Sequence, residues 1–177
     1  MWYTGKGDGG ETSLFFGGRV AKDDPRIEAL GALDEASSAI GVARAFAARA
    51  DAALLIRAGR ALSHIMGEVA APDPGKLAAR LEPAAVTALE AEIAALSAPL
   101  PPFAGFVVPG DTPAGALLDH ARAVTRRAER RVIPLVRDGR VNNPAILAYL
   151  NRLSSLLYLL ARREDAAAGG STPVRDA

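Results

Sequence analysis

Apolar residues recur every three or four positions along most of this 177-residue chain, which is the spacing of one face of an α-helix. The pattern predicts five helices, which follow a glycine-rich start that has no helical period. The five apolar stripes are Ile27 to Phe46, Leu55 to Val69, Val86 to Leu96, Ala121 to Ala128, and Ile146 to Leu160.

Three of the helices are preceded by a start signal, a side chain with an oxygen acceptor followed by proline. The signals stand at residues 24–25, 112–113 and 143–144. Asp, Thr and Asn side chains accept hydrogen bonds from the free amides of a first turn, and proline suits the first helical position. Pro134 follows the fourth stripe, and we expect it to kink or shorten that helix.

Five helices joined by short connections predict an all-α fold, an antiparallel five-helix bundle with a glycine-rich N-terminal loop. We expect one domain over residues 1–177, in which 1–23 form the loop and 24–165 form the bundle. The segment 166–177 has the composition of a disordered tail. The sequence contains no convincing strand hairpin.

Composition excludes several classes of function. The net charge of +1 gives no general reason to expect a nucleic-acid partner. The chain has no cysteine, and His64 and His120 are its only imidazoles, so thiolate and histidine-built metal sites are not expected. No apolar run is long enough for a membrane span, and the start does not resemble a signal peptide. We therefore expect a cytoplasmic protein.

The stretch "TGKGDGGETSL" at residues 4–14 is the first candidate site. Gly5, Gly7 and Gly10 have the spacing of a dinucleotide-binding fingerprint, but no full strand precedes them and no helix follows directly. The chemistry of a phosphate loop remains possible, because glycines let backbone amides approach phosphate oxygens and Lys6 adds charge. A flexible amino terminus is the equally open alternative.

The basic stretch "HARAVTRRAERRV" is the second candidate. Arg122, Arg126 and Glu129 share one helical face, and arginine forks suit the recognition of oxyanions. The alternative is a solvated face stabilised by Arg–Glu pairs.

Polar residues on otherwise apolar segments form a third group of candidates. Asn151 and Arg152 interrupt an apolar helix, and Asp34 and Glu35 lie on the first helix. Each pair predicts either a buried hydrogen-bonded network or a site. Phe106, in "FAGFVVPG", either fills the core or covers a large apolar ligand.

Taken together, these segments resemble the PduO-type family of ATP:cob(I)alamin adenosyltransferases. The resemblance covers Tyr3 to about Arg163 and implies a homotrimeric five-helix bundle with ATP bound between subunits. It implies transfer of the 5′-deoxyadenosyl group of ATP to the cobalt of reduced cobalamin, release of triphosphate, and Mg²⁺ carried with the ATP. The matching segments are "YTGKGDGGETSL", "GGRVAKDDPRIEALGALDE", "GFVVPG", "HARAVTRRAERRV" and "NPAILAYLNRLS".

The resemblance also implies an ATP site. Arg126 and Asn151 match positions that contact ATP, and Glu129 matches a position important to the same site. The N-terminal loop would wrap the triphosphate. Its matching residues are Thr4, Gly5, Lys6, Gly7, Thr12, Ser13 and Lys22.

On the corrinoid side, Asp34 and Arg122 match a pair that forms a salt bridge across the subunit boundary. Phe106 matches the aromatic residue that displaces the lower axial ligand of cob(II)alamin. With Arg126 and Glu129, these three residues make up the catalytic set that the resemblance implies.

The chain departs from the family pattern in three places. Ser37 stands where Asn is common, Ser155 stands where Asp is usual, and no aromatic residue follows Tyr158 to cover the corrinoid. A non-catalytic corrinoid or nucleotide carrier or sensor on the same bundle therefore stays open as the alternative function. Such a carrier would deliver adenosylcobalamin to a dependent acceptor enzyme.

Overall fold

The computed structural model describes residues 3–100 and 105–174, and within them it confirms the five-helix bundle. No helix in that part of the chain is both long and apolar enough to cross a membrane. The elements in chain order are strands β1 (Glu11–Ser13) and β2 (Arg19–Ala21), helices α1 (Pro25–Phe46) and α2 (Arg49–Ala70), a 3₁₀ turn (Pro74–Lys76), and helices α3 (Pro83–Ser97), α4 (Pro113–Arg137) and α5 (Ala145–Ala167).

The three start signals act as the sequence predicts. The Asp24 carboxylate accepts the amide two residues further on at 2.7 Å, and the Thr112 hydroxyl accepts the amide three residues further on at 2.9 Å. The Asn143 side-chain oxygen accepts the second amide after it at 3.1 Å. Helix α4 continues past Pro134 to Arg137, so the proline does not end the helix.

The helices pack in a fixed order of neighbours. Helix α1 lies between α2 and α4, α4 contacts α5, and α5 contacts α3. The stripe of large residues expected on α1 is displaced, because Ala29, Ala36 and Ala43 are fully buried while Ile27 and Leu30 are only partly buried. The largest fully buried side chains are Leu33, Ile40, Leu55, Leu62, Ile65, Leu118, Leu135, Ile146, Leu150, Leu153, Leu156 and Leu157.

The expectation that the chain has no strand hairpin is wrong. Strands β1 and β2 pair antiparallel within the glycine-rich start, with Thr12 opposite Val20. The hairpin is joined to the bundle where the Phe15 amide donates to the Ala70 carbonyl at 3.1 Å. Strands of three residues carry too little alternation to be recognised in the sequence.

The C-terminal segment also has defined contacts, although its composition predicts disorder. An isolated antiparallel bridge joins Pro173 to Val107. The Val108 amide donates to the Thr172 carbonyl at 2.8 Å. The tail therefore lies against the loop before α4 as far as Val174, and residues 175–177 lie outside the described part.

A buried carboxylate fixes the start of α4. Asp165, on α5, is fully buried and accepts a hydrogen bond from the Thr112 hydroxyl at 3.1 Å. Its position depends on the glycine at residue 115, since an added Cβ there would overlap the Asp165 carboxylate and lie 2.7 Å from the Thr112 hydroxyl. A negative charge at a helix N-terminus is also favoured by the helix dipole.

We predict that Gly115→Ala lowers the free energy of unfolding by roughly 1–3 kcal/mol, the usual cost of forcing an extra methyl group into a packed site. Urea unfolding followed by circular dichroism measures the change. The matched control is Gly59→Ala in α2, where an added methyl group meets nothing within 4 Å. We expect it to be neutral or stabilising, since alanine favours a helix over glycine. Equal stability of the two variants would contradict this role for Gly115.

Candidate active site

The glycine-rich start folds into consecutive turns that expose its backbone. The Asp8 amide donates to the Gly5 carbonyl at 3.1 Å, and the Gly10 amide donates to the Gly7 carbonyl at 3.2 Å. Gly5 and Gly10 have φ angles of +69° and +82°, which L side chains rarely adopt. Glycine is therefore strongly favoured at both positions of these turns.

Lys22 lies directly against this turn. A Cβ added at Gly7 would be 3.2 Å from the Lys22 ammonium nitrogen, so the end of the lysine packs closely against the backbone at Gly7. Within residues 3–100 and 105–174, neither Lys22 nor Lys6 forms an ion pair. The hairpin thus offers two uncompensated ammonium groups beside glycine backbone, a combination that suits a phosphate chain.

The other predicted hairpin residues have different surroundings. The Thr4 hydroxyl accepts the Lys6 amide at 3.4 Å. Thr12 is partly buried and Ser13 is exposed, on successive positions of β1. The Arg19 guanidinium donates to the Lys6 carbonyl at 2.9 Å, so Arg19 supports the turn.

The arginines of α4 divide into two sets. Arg127 forms an ion pair with Glu35, and Arg131 lies 3.2 Å from Glu28, so these two fasten α4 to α1. For them the alternative of a solvated face with Arg–Glu pairs is correct. Arg126 is exposed and has no hydrogen bond or ion pair within the described residues, so its guanidinium is available to an external anion.

Glu129 and Asn151 bring α4 and α5 together beside Arg126. The Asn151 side-chain amide donates to the Glu129 carboxylate at 3.3 Å, and Arg152 donates to the Asn151 side-chain oxygen at 3.1 Å. Asn151 is exposed, so the alternative of a buried network is wrong for this residue. The structure places a cation, a carboxylate and an amide on one accessible surface.

Arg122 lies one helical turn before Arg126, about 6 Å along the axis. Its guanidinium is 3.2 Å from the buried Asp119 carboxylate and 6.0 Å from the centre of the Tyr158 ring. Asp34 is exposed, and within the described part of one subunit it has no ionic partner. The expected Asp34–Arg122 pair is thus not formed within a single chain, and a pair between subunits stays a prediction.

Phe106 is 82% exposed, so the alternative that it fills the core is wrong. Its backbone carbonyl accepts the Val174 amide at 2.9 Å, which joins the loop to the C-terminal segment. Residues 101–104 of the same loop lie outside the described part of the chain. An exposed aromatic ring at a fixed backbone position suits contact with a flat apolar ligand.

Sequence reasoning missed the residues that support Arg122. Arg162 donates to Asp119 at 2.7 Å and to Asp165 at 2.7 Å, and its guanidinium lies 4.9 Å from the Tyr158 ring. Burial alone lowers the pKa of Arg162, but the hydrogen bonds and charges of the acidic partners outweigh it and raise that pKa. The only sequence signal for this network was the spacing of Asp119 and Arg122, which lie one helical turn apart and can form an ion pair.

The structure joins some of the expected residues and separates others. Glu129 and Asn151 are in contact, and Arg126 lies within one turn of Glu129. In the described ranges no hydrogen bond or ion pair links the N-terminal hairpin to Arg126. A single chain therefore presents the glycine-rich hairpin with the exposed Lys6 and Lys22 and, separately from it, the exposed Arg126 on α4.

The chain is therefore a five-helix bundle that carries a glycine-rich hairpin and exposed basic side chains. The model of the cobalamin adenosyltransferase family matches residues 2–164, and the chain belongs to that family.

Among curated relatives, the corrinoid adenosyltransferase PduO of Salmonella typhimurium is 37% identical to this chain. The match covers 98% of this chain but only 52% of that protein. The chain spans about half the length of this PduO protein and of the PduO protein of Citrobacter freundii. A corrinoid adenosyltransferase of Citrobacter freundii is 38% identical over 92% of this chain and 94% of its own length.

Among solved structures, a variant PduO-type ATP:corrinoid adenosyltransferase from Lactobacillus reuteri, complexed with cobalamin and ATP, superposes with a TM-score of 0.91. It is 26% identical, and the match covers 99% of this chain and 100% of that one.

We predict that Gly7→Ala weakens the binding of inorganic triphosphate, since the new methyl group would come within 3.2 Å of the Lys22 ammonium nitrogen and push it away from the turn. Loss of one charge-assisted contact is expected to reduce affinity by roughly tenfold, as measured by isothermal titration calorimetry. Gly9→Ala is the matched control, because a Cβ at Gly9 meets nothing within 4 Å. Equal affinities of the two variants would mean that Lys22 does not act through Gly7.

Proposed function

We propose that this protein transfers the 5′-deoxyadenosyl group of ATP to the cobalt of cob(I)alamin, forming adenosylcobalamin and triphosphate. The observation that carries the proposal is the exposed Arg126, free of ionic partners among the described residues, beside the Glu129–Asn151 pair. Membership of the cobalamin adenosyltransferase family, and a close structural relative complexed with cobalamin and ATP, support it.

The N-terminal hairpin and Arg126 on α4 recognise the triphosphate. Lys6 and Lys22 offer ammonium groups that form no ion pair among the described residues, and glycines 5 and 7 leave the backbone of the turns accessible. Arg126 adds a planar fork of donors. Charge builds up on the departing triphosphate during the transfer, so these donors stabilise the transition state more than the ground state.

When the corrinoid is bound, its reduced cobalt supplies the nucleophile, which displaces triphosphate from the ribose 5′ carbon. The protein then needs no activated serine or lysine of its own. Its residues have to hold that carbon in line for attack and exclude competing geometries. We assign the orientation of the nucleotide to Asn151, which Glu129 and Arg152 hold by hydrogen bonds.

The corrinoid side is assigned to Phe106, Asp34 and Arg122. The exposed ring of Phe106 suits the apolar lower face of a corrinoid, where it would displace the axial ligand. Asp34 and Arg122 would form an ion pair across a subunit boundary, so we propose that the active assembly is a homotrimer. Exposed apolar side chains on α1, Val42 and Phe46, support an interface on this side of the bundle.

Three further features belong to the same proposal. Mg²⁺ enters on the phosphates of ATP, whose oxygens are the hard ligands that it prefers. The enzyme works in the cytoplasm, as its composition predicts. A cobalamin-dependent enzyme receives the adenosylcobalamin.

Incubation of the protein with ATP, Mg²⁺ and chemically reduced cobalamin tests the activity. The expected result is the absorption change from cob(I)alamin to adenosylcobalamin, with one triphosphate released per corrinoid converted. Binding of ATP and corrinoid without this change would instead favour the carrier or sensor. Absence of both binding and turnover would overturn both functions.

We predict that Arg126→Ala loses ATP binding and turnover by at least about a hundredfold while the fold is kept, because an exposed side chain without internal partners contributes little to stability. Calorimetry with ATP and the absorption assay measure the two effects. Arg137→Ala, in the last turn of the same helix, is the control and should behave like the parent protein. Normal triphosphate release by Arg126→Ala would remove Arg126 from the site.

We predict that Phe106→Ala slows adenosylation far more when the reaction starts from cob(II)alamin than when it starts from pre-reduced cob(I)alamin. The apolar ring acts before reduction by displacing the axial ligand, so a cob(I)alamin start bypasses its task. The two rates are measured in parallel with the same protein stock. An equal loss from both starting states would contradict ligand displacement by Phe106.

A further inference from the structure

The C-terminal segment 171–174 runs beside the loop that carries Phe106. The Val174 amide donates to the Phe106 carbonyl at 2.9 Å, and the Val108 amide donates to the Thr172 carbonyl at 2.8 Å. These are the two hydrogen bonds of a short antiparallel pairing, centred on the Val107–Pro173 bridge. The backbone of Phe106 is thereby bonded directly to the tail.

Thr172 makes a second connection to the same loop. The Asp111 carboxylate accepts the Thr172 amide at 2.8 Å with one oxygen and the Thr172 hydroxyl at 2.5 Å with the other. These hydrogen bonds from the hydroxyl and the amide lower the pKa of Asp111, so its carboxylate stays ionised at neutral pH. A carboxylate that accepts two such bonds fixes both the position and the direction of the tail.

Both the loop and the tail are anchored in the buried network at the start of α4. Asp165 accepts the Ser171 hydroxyl at 3.1 Å on the tail side and the Thr112 hydroxyl at 3.1 Å on the loop side. The Gly170 amide also donates to the backbone carbonyl of Asp165 at 2.8 Å. The tail therefore leaves α5 from a rigid point, and its pairing with the loop transmits that position to Phe106.

Phe106 is 82% exposed and lies outside the packed core, so its backbone contributes to the position of its ring. A change of about 1 Å in the position of a group that acts on a reaction centre costs as much as a hundredfold in rate. The hydrogen bonds to the tail therefore act on the backbone that carries the ring and so affect the position of the ring relative to the bundle.

We propose that Thr172 is a positioning residue for Phe106, and that segment 171–174 holds the Phe106 loop at the height required to displace the lower ligand of a bound corrinoid. The inference rests on the proposed adenosyltransferase function. It assigns a specific task to a segment whose composition predicts only a disordered tail.

The test uses the full chain and two matched variants of one side chain. Thr172→Val keeps the size and β-branching of the side chain but removes the hydroxyl donor to Asp111. Thr172→Ser keeps the hydroxyl. We expect the tail to hold the Phe106 loop less firmly in Thr172→Val and almost as firmly as in the parent in Thr172→Ser.

The first measurement is amide hydrogen exchange of the ligand-free proteins. In the parent, the Val108 and Val174 amides are hydrogen-bonded across the pairing, so we expect both to exchange slowly. Thr172→Val should speed their exchange by roughly tenfold and leave the exchange of the α5 amides unchanged. Tenfold is roughly the change in an opening equilibrium expected from the loss of one hydrogen bond to a charged group. Unchanged exchange at both amides in the valine variant would overturn the proposal.

The second measurement is adenosylation from the two starting states. Thr172→Val should slow the reaction from cob(II)alamin several-fold and keep the rate from pre-reduced cob(I)alamin within about twofold, while Thr172→Ser follows the parent. Equal losses from both states would show a merely structural role and would also overturn the proposal. If the parent itself fails to form adenosylcobalamin, the proposed function falls, whereas the exchange data still decide whether Thr172 holds the loop.

Discussion

The arrangement of this molecule depends on one buried carboxylate, Asp165, at the start of α4. A buried charge is costly unless it is paired and hydrogen-bonded, and here Arg162, Thr112 and Ser171 provide the partners. Those partners come from α5, the loop before α4 and the tail, so satisfying one charge sets the relative positions of three segments. Removal of a single partner would leave part of that buried charge unpaired, which is costly at low local dielectric.

The same network explains why α4 combines structural and chemical roles. Arg162 holds the Asp119 carboxylate, which in turn holds Arg122, so the side of α4 that faces the corrinoid in our proposal is rigid. Arg126, one turn further, is left without an internal partner in the described part of the chain and keeps its charge for a ligand. The difference lies in the neighbours that each residue meets, because Arg122 lies one turn from the buried Asp119 and Glu129 lies opposite Asn151 of α5.

The sequence predicted what depends on local chemistry. The starts of α1 and α4 followed from Asp24 and Thr112, because capping involves only the next few residues. It did not predict the β1–β2 hairpin, whose strands are too short for a period, nor the Asp119–Arg162 contact, which joins residues far apart in the chain. The sequence pattern singled out the candidate segments and the family resemblance gave their residues roles, whereas the pairing state that distinguishes Arg126 from its neighbours required the structure.

The N-terminal hairpin changes how its glycines are understood. A flexible loop would have to lose backbone freedom on binding a phosphate chain, at a cost of about 1–2 kcal/mol for each residue that becomes ordered. Here β1 pairs with β2, the Phe15 amide bonds to the end of α2, and the turns close through Gly5 and Gly7, so much of that cost is met during folding. The glycines therefore belong to a preformed turn with Lys22 packed against it. In the proposed function, binding energy from the phosphates is then available for orienting the ribose rather than for ordering the loop.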